Sequence, residues 1–324
     1  MGIIGCGRVT TLFHLKAIEE VNDVKVVAVA DKDSERMEDV RKRTSASSGY
    51  LDYTDLLSDS KVDVVTVNTP PSLHLEMTLD ALESGKHVQC EKPISLTADE
   101  CESLIDEQEL RGLIVLPVHN YAFSPSLLKM EELLDEIGDV ERVRIDFLNN
   151  LKGYRSQTDF RTDKMDGIVD DVFPHLLSVS LPLAGIPSRL EKVEWWCEKY
   201  DVCDNMRTLL RTDEGVECDY NLNWTSLIPR FKVLVEGSLG DLKTELMLSP
   251  YKTTLSRGGK TKTFQDRGLG WLFDLIRFKH PGFENQYRHL VSLVEGEIDR
   301  PRFTLREEMA MIQIMERVSE YFEV

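Results

Sequence analysis

The sequence predicts an α/β protein in two parts. An amino-terminal domain with a parallel sheet precedes a carboxyl-terminal α+β domain with a large, mainly antiparallel sheet. Two observations carry this. Up to residue 118, short apolar runs alternate with segments of helical period, the mark of successive βα units. Beyond it the period changes to two: Val143, Ile145 and Phe147 alternate with Arg142, Arg144 and Asp146, and 216–224 alternates without a break. Such alternation marks strands buried on one face, as in antiparallel sheets. A chain of 324 residues exceeds what one core usually supports, so domains are expected at 1–118 and 119–324.

Residues 2–5 read as a very short first strand. Gly5-Cys6-Gly7-Arg8-Val9 turns it into an amphipathic helix with Val9, Leu12, Phe13, Ala17 and Val21 at helical spacing. Glycines there let the backbone approach a pyrophosphate, and a helix amino terminus offers free amides, so these five residues are candidate cofactor contacts in a Rossmann-type domain. The third glycine position holds Thr10, which is expected to keep helix and strand further apart. The apolar strand 24–30 closes on Asp31. An acid there accepts a ribose 2'-hydroxyl and repels a 2'-phosphate, which favours NAD, while Lys32 keeps NADP open. The competing reading is that Asp31 only caps the next helix.

A short helix at 52–57 leads to the strand 62–67 and the turn Asn68-Thr69-Pro70-Pro71, whose prolines stiffen the backbone beside the cofactor. His74 opens the following helix, as a nicotinamide-side contact or as a helix-start residue with a solvent partner. The strand 86–90 then delivers Glu91-Lys92-Pro93 at its carboxyl end, where ligands bind in open parallel sheets. A helix at 95–112, capped by Ser95 or Thr97 and stopped by Gly112, and a strand at 113–118 complete the first domain. In the second, a helix at 125–137, strands at 140–147, 216–224 and 231–236, and closing helices at 284–295 and 305–322 are expected, with 256–270 a flexible polar loop.

A dehydrogenase acting on an alcohol needs a base that takes the hydroxyl proton as hydride leaves. Lysine serves only when its pKa falls well below about 10.4, through burial or neighbouring positive charge. Glu91 is therefore expected to point away from the Lys92 ammonium, toward cofactor or backbone. In Asp171-Val172-Phe173-Pro174-His175, a spacing of four puts acid and imidazole on one helix face, where Asp171 can orient His175. Pro174 is expected in a first turn, so the helix should begin there. A capping aspartate and a packed histidine is the competing reading.

In this order, Gly5-Cys6-Gly7-Arg8-Val9, Thr69-Pro70 with His74, Glu91-Lys92-Pro93, and Asp171 before His175 resemble the glucose-fructose oxidoreductase and inositol dehydrogenase (Gfo/Idh/MocA) family. The resemblance implies that Lys92 is catalytic and that Asp171 and His175 hold substrate hydroxyls and assist proton transfer. It adds Asn68, Thr69, Pro70, His74, Glu91 and Lys92 to the cofactor contacts. Arg161, after Phe160, matches a pair that lines the interdomain cleft in similar proteins, though an exposed arginine fits as well. Asn120 and Tyr121, after the last strand of the first domain, are also expected to reach the substrate. Where relatives have a Gly and an Asp around the histidine, this chain has Phe173 and Ser178, and the glycine-rich approach is thinned to Met165-Asp166-Gly167. Phe173 is expected to narrow or reshape the pocket.

A net charge of -18 disfavours a nucleic-acid partner. No apolar run reaches the roughly 18 residues of a membrane span, and with no leader in view the expected location is cytoplasmic. Six scattered cysteines fit neither a disulfide framework nor a zinc cluster, and no metal is expected. The expected activity is NAD(P)-dependent oxidation of a secondary hydroxyl on a sugar, cyclic polyol or nucleotide sugar. The alternatives are an NAD-dependent glycoside hydrolase working by transient oxidation and elimination, and a non-catalytic dinucleotide sensor. The polar side of the second sheet, as in similar proteins, implies a homodimer or homotetramer.

Overall fold

The computed structural model describes residues 1–151, 167–267 and 279–322. The chain forms two compact units, Met1–Asn120 with Arg277–Ala310, and Tyr121–Ile276 with Met311–Val324.

The first unit holds a six-stranded sheet in the order β3-β2-β1-β4-β5-β6, parallel throughout. Its strands are β1 (Gly2–Ile4), β2 (Ala28–Ala30), β3 (Ser48–Tyr50), β4 (Val64–Val67), β5 (His87–Cys90) and β6 (Val115–Pro117). The helices are α1 (Leu15–Ile18), entered through a π turn at Thr10–His14, then α2 (Ser34–Thr44), α3 (Tyr53–Leu57), α4 (His74–Glu83) and α5 (Ala98–Arg111). Their starts follow capping chemistry. Asp33 accepts the amides of Glu35 and Arg36, Asp52 that of Thr54, and Thr97 that of Glu100. Asp33, not Asp31, therefore caps α2, and Thr97, not Ser95, caps α5. Gly112, at φ +64°, ends α5 in the left-handed conformation glycine adopts without strain.

The sheet buries both faces, so successive strand residues serve opposite cores. Ile3 and Val29 join one with Leu15, Ala17, Ile18 and Val40, and Ile4, Ala28 and Ala30 join the other with Leu56, Leu82 and Leu104. The first core is completed by Phe283, Tyr287 and Leu290 of α8 (Pro281–Val294). Sequence reasoning assigned this helix to 119–324. Its apolar stripe shows that it is buried, not which sheet it covers.

The second unit is built on an eight-stranded sheet, β14-β13-β12-β11-β7-β10-β9-β8, antiparallel except for the β7-β10 pair. Its strands are β7 (Val140–Asn150), β8 (Pro187–Trp196), β9 (Asn205–Thr212), β10 (Glu217–Asn223), β11 (Thr225–Gly237), β12 (Gly240–Glu245), β13 (Ser249–Arg257) and β14 (Lys260–Gln265). Helices α6 (Pro125–Glu132) and α7 (Ile168–Ala184) pack on the face carrying Val143, Ile145, Phe147, Tyr220, Leu222, Phe231 and Val233. A further helix, α9 (Leu305–Ser319), follows α8. The other face carries Arg142 and Arg144, paired with Glu217, Asp219 and Glu236.

Two expectations are corrected here. Residues 256–265 are not a loop but parts of a hairpin, turned by Gly258 and Gly259 at φ +56° and +73°. Paired positive φ values are what a tight hairpin needs, and the polar composition reflects strands exposed on both sides. Pro174 does not sit in a first turn, because α7 begins at Ile168 and carries both Pro174 and Pro182 inside it. A proline there forgoes one helical hydrogen bond, a cost offset by fully burying Val169, Phe173, Leu176 and Leu177. Among the described residues, no helix is long and apolar enough to cross a membrane.

Candidate functional site

The strand order reverses between β1 and β4, and the loops after these two strands meet. Gly5 lies at φ +92°, and a Cβ there would fall 2.7 Å from the Asn68 carbonyl oxygen, so only glycine lets the two turns touch. Asn68 is buried, its side-chain oxygen accepting from the Thr66 hydroxyl and its amide donating to Thr10 Oγ1 at 3.2 Å. Thr10 Oγ1 in turn donates to the Gly5 carbonyl at 2.6 Å. The departure from the glycine pattern is thus absorbed. Thr10 is wholly buried and ties the first turn to the second rather than leaving a gap.

Gly7 has nothing within 4 Å of where its Cβ would stand, which leaves open space over the loop. Asp31 is held at both oxygens, by the Cys6 amide at 2.7 Å and the Asp33 amide at 2.9 Å. A carboxylate has about four acceptor positions, so it retains capacity for ribose hydroxyls. Open space at Gly7 and an acid fixed beside the same loop fit a dinucleotide. Burial, with Asp31 and Asp39 nearby, pushes the Cys6 thiol up to about 12, so this residue is a packed thiol. Arg8 is exposed and Val9 half-buried. Thr69 Oγ1 contacts the Met77 sulfur at 3.5 Å, and Pro70 precedes the turn Pro71–Leu73.

His74 has no solvent partner of the kind one reading supposed. It is buried, with Nδ1 2.6 Å from the Pro93 carbonyl and Nε2 2.8 Å from the Thr69 carbonyl. The ring pins the turn after β4 to the turn after β5. Burial lowers its pKa, against the two carbonyls, whose hydrogen bonds act to raise it.

Glu91 follows β5. One oxygen is 2.9 Å from His14 Nε2 and the other accepts from the Lys92 amide at 3.3 Å, so the carboxylate turns to imidazole and backbone. Burial acts to raise its pKa, but His14, aided by Lys92 and His74, outweighs this and holds it below the usual carboxylate range. His14 is itself fully buried, with Nδ1 2.6 Å from the Tyr287 hydroxyl. Lys92 is half-buried between residues 91 and 93, each held by a histidine.

In the second unit, Asp171 and His175 lie one turn apart on α7, both half-buried. The Tyr121 ring meets His175 edge-on at 5.0 Å and Phe231 at 4.7 Å. Phe173 does not line a pocket; it is wholly buried, packed against Tyr220 on the sheet side of the helix. Ser178 is also buried, its hydroxyl returning to the His175 carbonyl at 3.1 Å. Asn120, in the first unit, is buried with its amide 3.4 Å from His280 Nδ1. Arg161, Met165 and Asp166 lie outside the described residues. A hollow of about 280 Å³ on the polar face of the second sheet, lined by Arg142, Arg144, Lys192, Arg207, Glu217 and Asp219 among others, contains none of the expected site residues.

Sequence reasoning passed over His14, Tyr287 and the buried pair His119 and Glu308, whose side chains meet at 2.6 Å. His14 stands four residues after Thr10, also at 0% exposure, and that spacing was the available signal.

Residues 1–119 match the oxidoreductase family with an NAD-binding Rossmann fold, Gfo/Idh/MocA. The match covers the amino-terminal 119 of the 324 residues. Among similar proteins, the myo-inositol 2-dehydrogenase of Thermotoga maritima is 28% identical over 147 residues, 45% of this chain and 44% of that enzyme. The matched region thus spans less than half the length of that relative. A D-apiose dehydrogenase of Paraburkholderia graminis is 24% identical over 97% of this chain and 85% of its own. Among solved structures, an NAD-binding oxidoreductase from Klebsiella pneumoniae superposes with a TM-score of 0.86 at 20% identity, covering 98% of this chain and 95% of that one.

Proposed function

We propose that this chain is an NAD(P)-dependent oxidoreductase that oxidises a secondary hydroxyl of a sugar, cyclic polyol or nucleotide sugar. Its first unit binds the dinucleotide and its second the substrate. The observation that carries the reading is the position of Lys92, at the carboxyl end of β5 and on a turn locked from both sides by buried histidines. A base must be held near one geometry to take a proton in the transition state, and this turn supplies that rigidity.

The nicotinamide ring of the bound dinucleotide supplies the hydride acceptor. The backbone at Gly5, Cys6 and Gly7, with Arg8 and Val9, cradles the diphosphate, and Asp31 takes the ribose hydroxyls, which favours NAD over NADP. Asn68, Thr69 and Pro70 shape the ring side of the groove, with His74 fixing their turn. Lys92 receives the hydroxyl proton. His175, oriented by Asp171, holds a substrate hydroxyl and assists the transfer, and Asn120, Tyr121 and Arg161 are further substrate contacts. The paired charges on the open face of the second sheet suit a self-complementary contact between copies, a homodimer or homotetramer. The test is reduction of NAD and NADP followed at the nicotinamide band across a panel of inositols, aldoses and sugar nucleotides. Turnover with at least one member is expected; silence with both cofactors across the panel would overturn the reading.

A further inference from the structure

Lys92 does not stand alone on its turn. Its neighbour in sequence, Glu91, is an anion, and that anion is committed to a buried chain of groups reaching back to α8. The Tyr287 hydroxyl is 2.6 Å from His14 Nδ1, and His14 Nε2 is 2.9 Å from Glu91 Oε1. Tyr287 and His14 are each at 0% exposure, and the Glu91 side chain is at 13%. The rings of Phe283 and Tyr287 meet the imidazole edge-on at 4.9 and 5.7 Å and close it from solvent.

Burial keeps the Tyr287 phenol protonated, well above its ordinary range. An ionised carboxylate only accepts, so His14 Nε2 carries a hydrogen and donates to Glu91, while Nδ1 meets the Tyr287 hydroxyl. The groups facing Glu91 are His14 from the π turn, Tyr287 from α8, His74 from α4, and Cys90 and Lys92 from its own segment. A carboxylate left without the imidazole would find its strongest partner in the lysine ammonium and hold it protonated, the wrong state for a base.

We propose that His14 is a positioning residue for Lys92, acting by binding the Glu91 carboxylate and drawing it from the lysine amine, with the Tyr287 hydroxyl holding the other ring nitrogen. The inference rests on Lys92 being the base. It also joins the cofactor loop to the base, because His14 closes the π turn at Thr10–His14 that follows the glycines. Such single-turn widenings recur at functional sites, since they re-aim one side chain without ending the helix.

The experiment compares Glu91→Gln, His14→Phe, His14→Gln and the double variant His14→Phe/Glu91→Gln. Two readouts are taken. One is the acid limb of the kcat/KM profile. The other, independent of turnover, is the pH dependence of Lys92 acylation, followed by competitive labelling and peptide mass spectrometry. Glu91→Gln should move both to lower pH by about one unit, and His14→Phe should move both to higher pH with kcat falling about tenfold. His14→Gln, which keeps an N–H donor, should restore wild-type behaviour, and the double variant should follow Glu91→Gln. Unchanged midpoints in variants that keep their urea stability, or shifts of the same sign in Glu91→Gln and His14→Phe, would overturn the inference. If His14→Phe does not fold, His14→Gln against Glu91→Gln decides alone. Labelling that moves as expected while Lys92→Met retains turnover would sink the base assignment instead, and unmoved labelling with an inactive Lys92→Met would sink only the role of His14.

Discussion

Acidification should destabilise the first unit through its histidines before its carboxylates titrate. Three imidazoles accept backbone amides: His87 Nδ1 from Ile114 at 3.0 Å, His280 Nδ1 from Gly282 at 3.2 Å, and His289 Nε2 from Arg302 at 2.9 Å. A protonated ring cannot accept, so each bond requires the neutral form. Burial lowers the pKa of His280 from 6.5 to about 4, and burial with the Arg302 charge lowers His289 from 6.5 to about 4. His87 and His74 are lowered in the same direction, chiefly by burial. The native state thus refuses protons that the unfolded chain takes up below 6.5, so this stability is complete above 6.5 and lost as pH falls toward about 4. One histidine is worth at most about 1.4 kcal/mol per pH unit. Because His280 and His289 are half-buried, solvent screening reduces their joint loss to about 2–4 kcal/mol over the window. Urea unfolding at about pH 7.5, 6.5, 5.5 and 4.5 should show this decline. The double variant His280→Asn/His289→Gln, which keeps both acceptors but cannot titrate, should show a flatter one. Equal slopes in the two proteins would refute the reasoning.

Thr10→Val should cost about 2–3 kcal/mol in urea unfolding and weaken dinucleotide binding, because it leaves the Gly5 carbonyl and the Asn68 amide without their shared hydroxyl; Thr10→Ser should recover most of both. A Thr10→Val protein of wild-type stability would show that the two turns do not depend on this bridge. Asp31→Asn should lower the NAD-to-NADP preference about tenfold or more in fluorescence titration with the reduced cofactors, and an unchanged ratio would remove Asp31 from the ribose site.

Much of the first sheet was legible because buried parallel strands are short apolar runs and their helices carry caps that can be read letter by letter, as at Asp52 and Thr97. What escaped were features that depend on three-dimensional partners. The stripe Phe283, Tyr287 and Leu290 announced burial, yet nothing local says that α8 returns to the first sheet. Pro174 was read by its local rule, and packing overrode it. Strands such as β8 and β14 were missed because exposure on both faces erases the alternation that betrays a half-buried strand. Lys92 and Asp31 stand out as candidates from their places at strand ends. The same logic expected Glu91 to turn toward cofactor or backbone; the structure gives it the Lys92 amide and His14, and nothing local names that imidazole. Phe173 went the other way: proximity in sequence to His175 suggested a pocket wall, whereas helical geometry sends the ring to Tyr220.

The most direct test of the central claim is Lys92→Met, assayed for binding of the oxidised and reduced dinucleotide and for hydride transfer on whichever polyol or sugar the wild-type protein oxidises. Turnover should fall by about two to four orders of magnitude while dinucleotide affinity stays within about threefold. A variant that binds the dinucleotide and still reduces it at close to the wild-type rate would show that the proton is taken by another group.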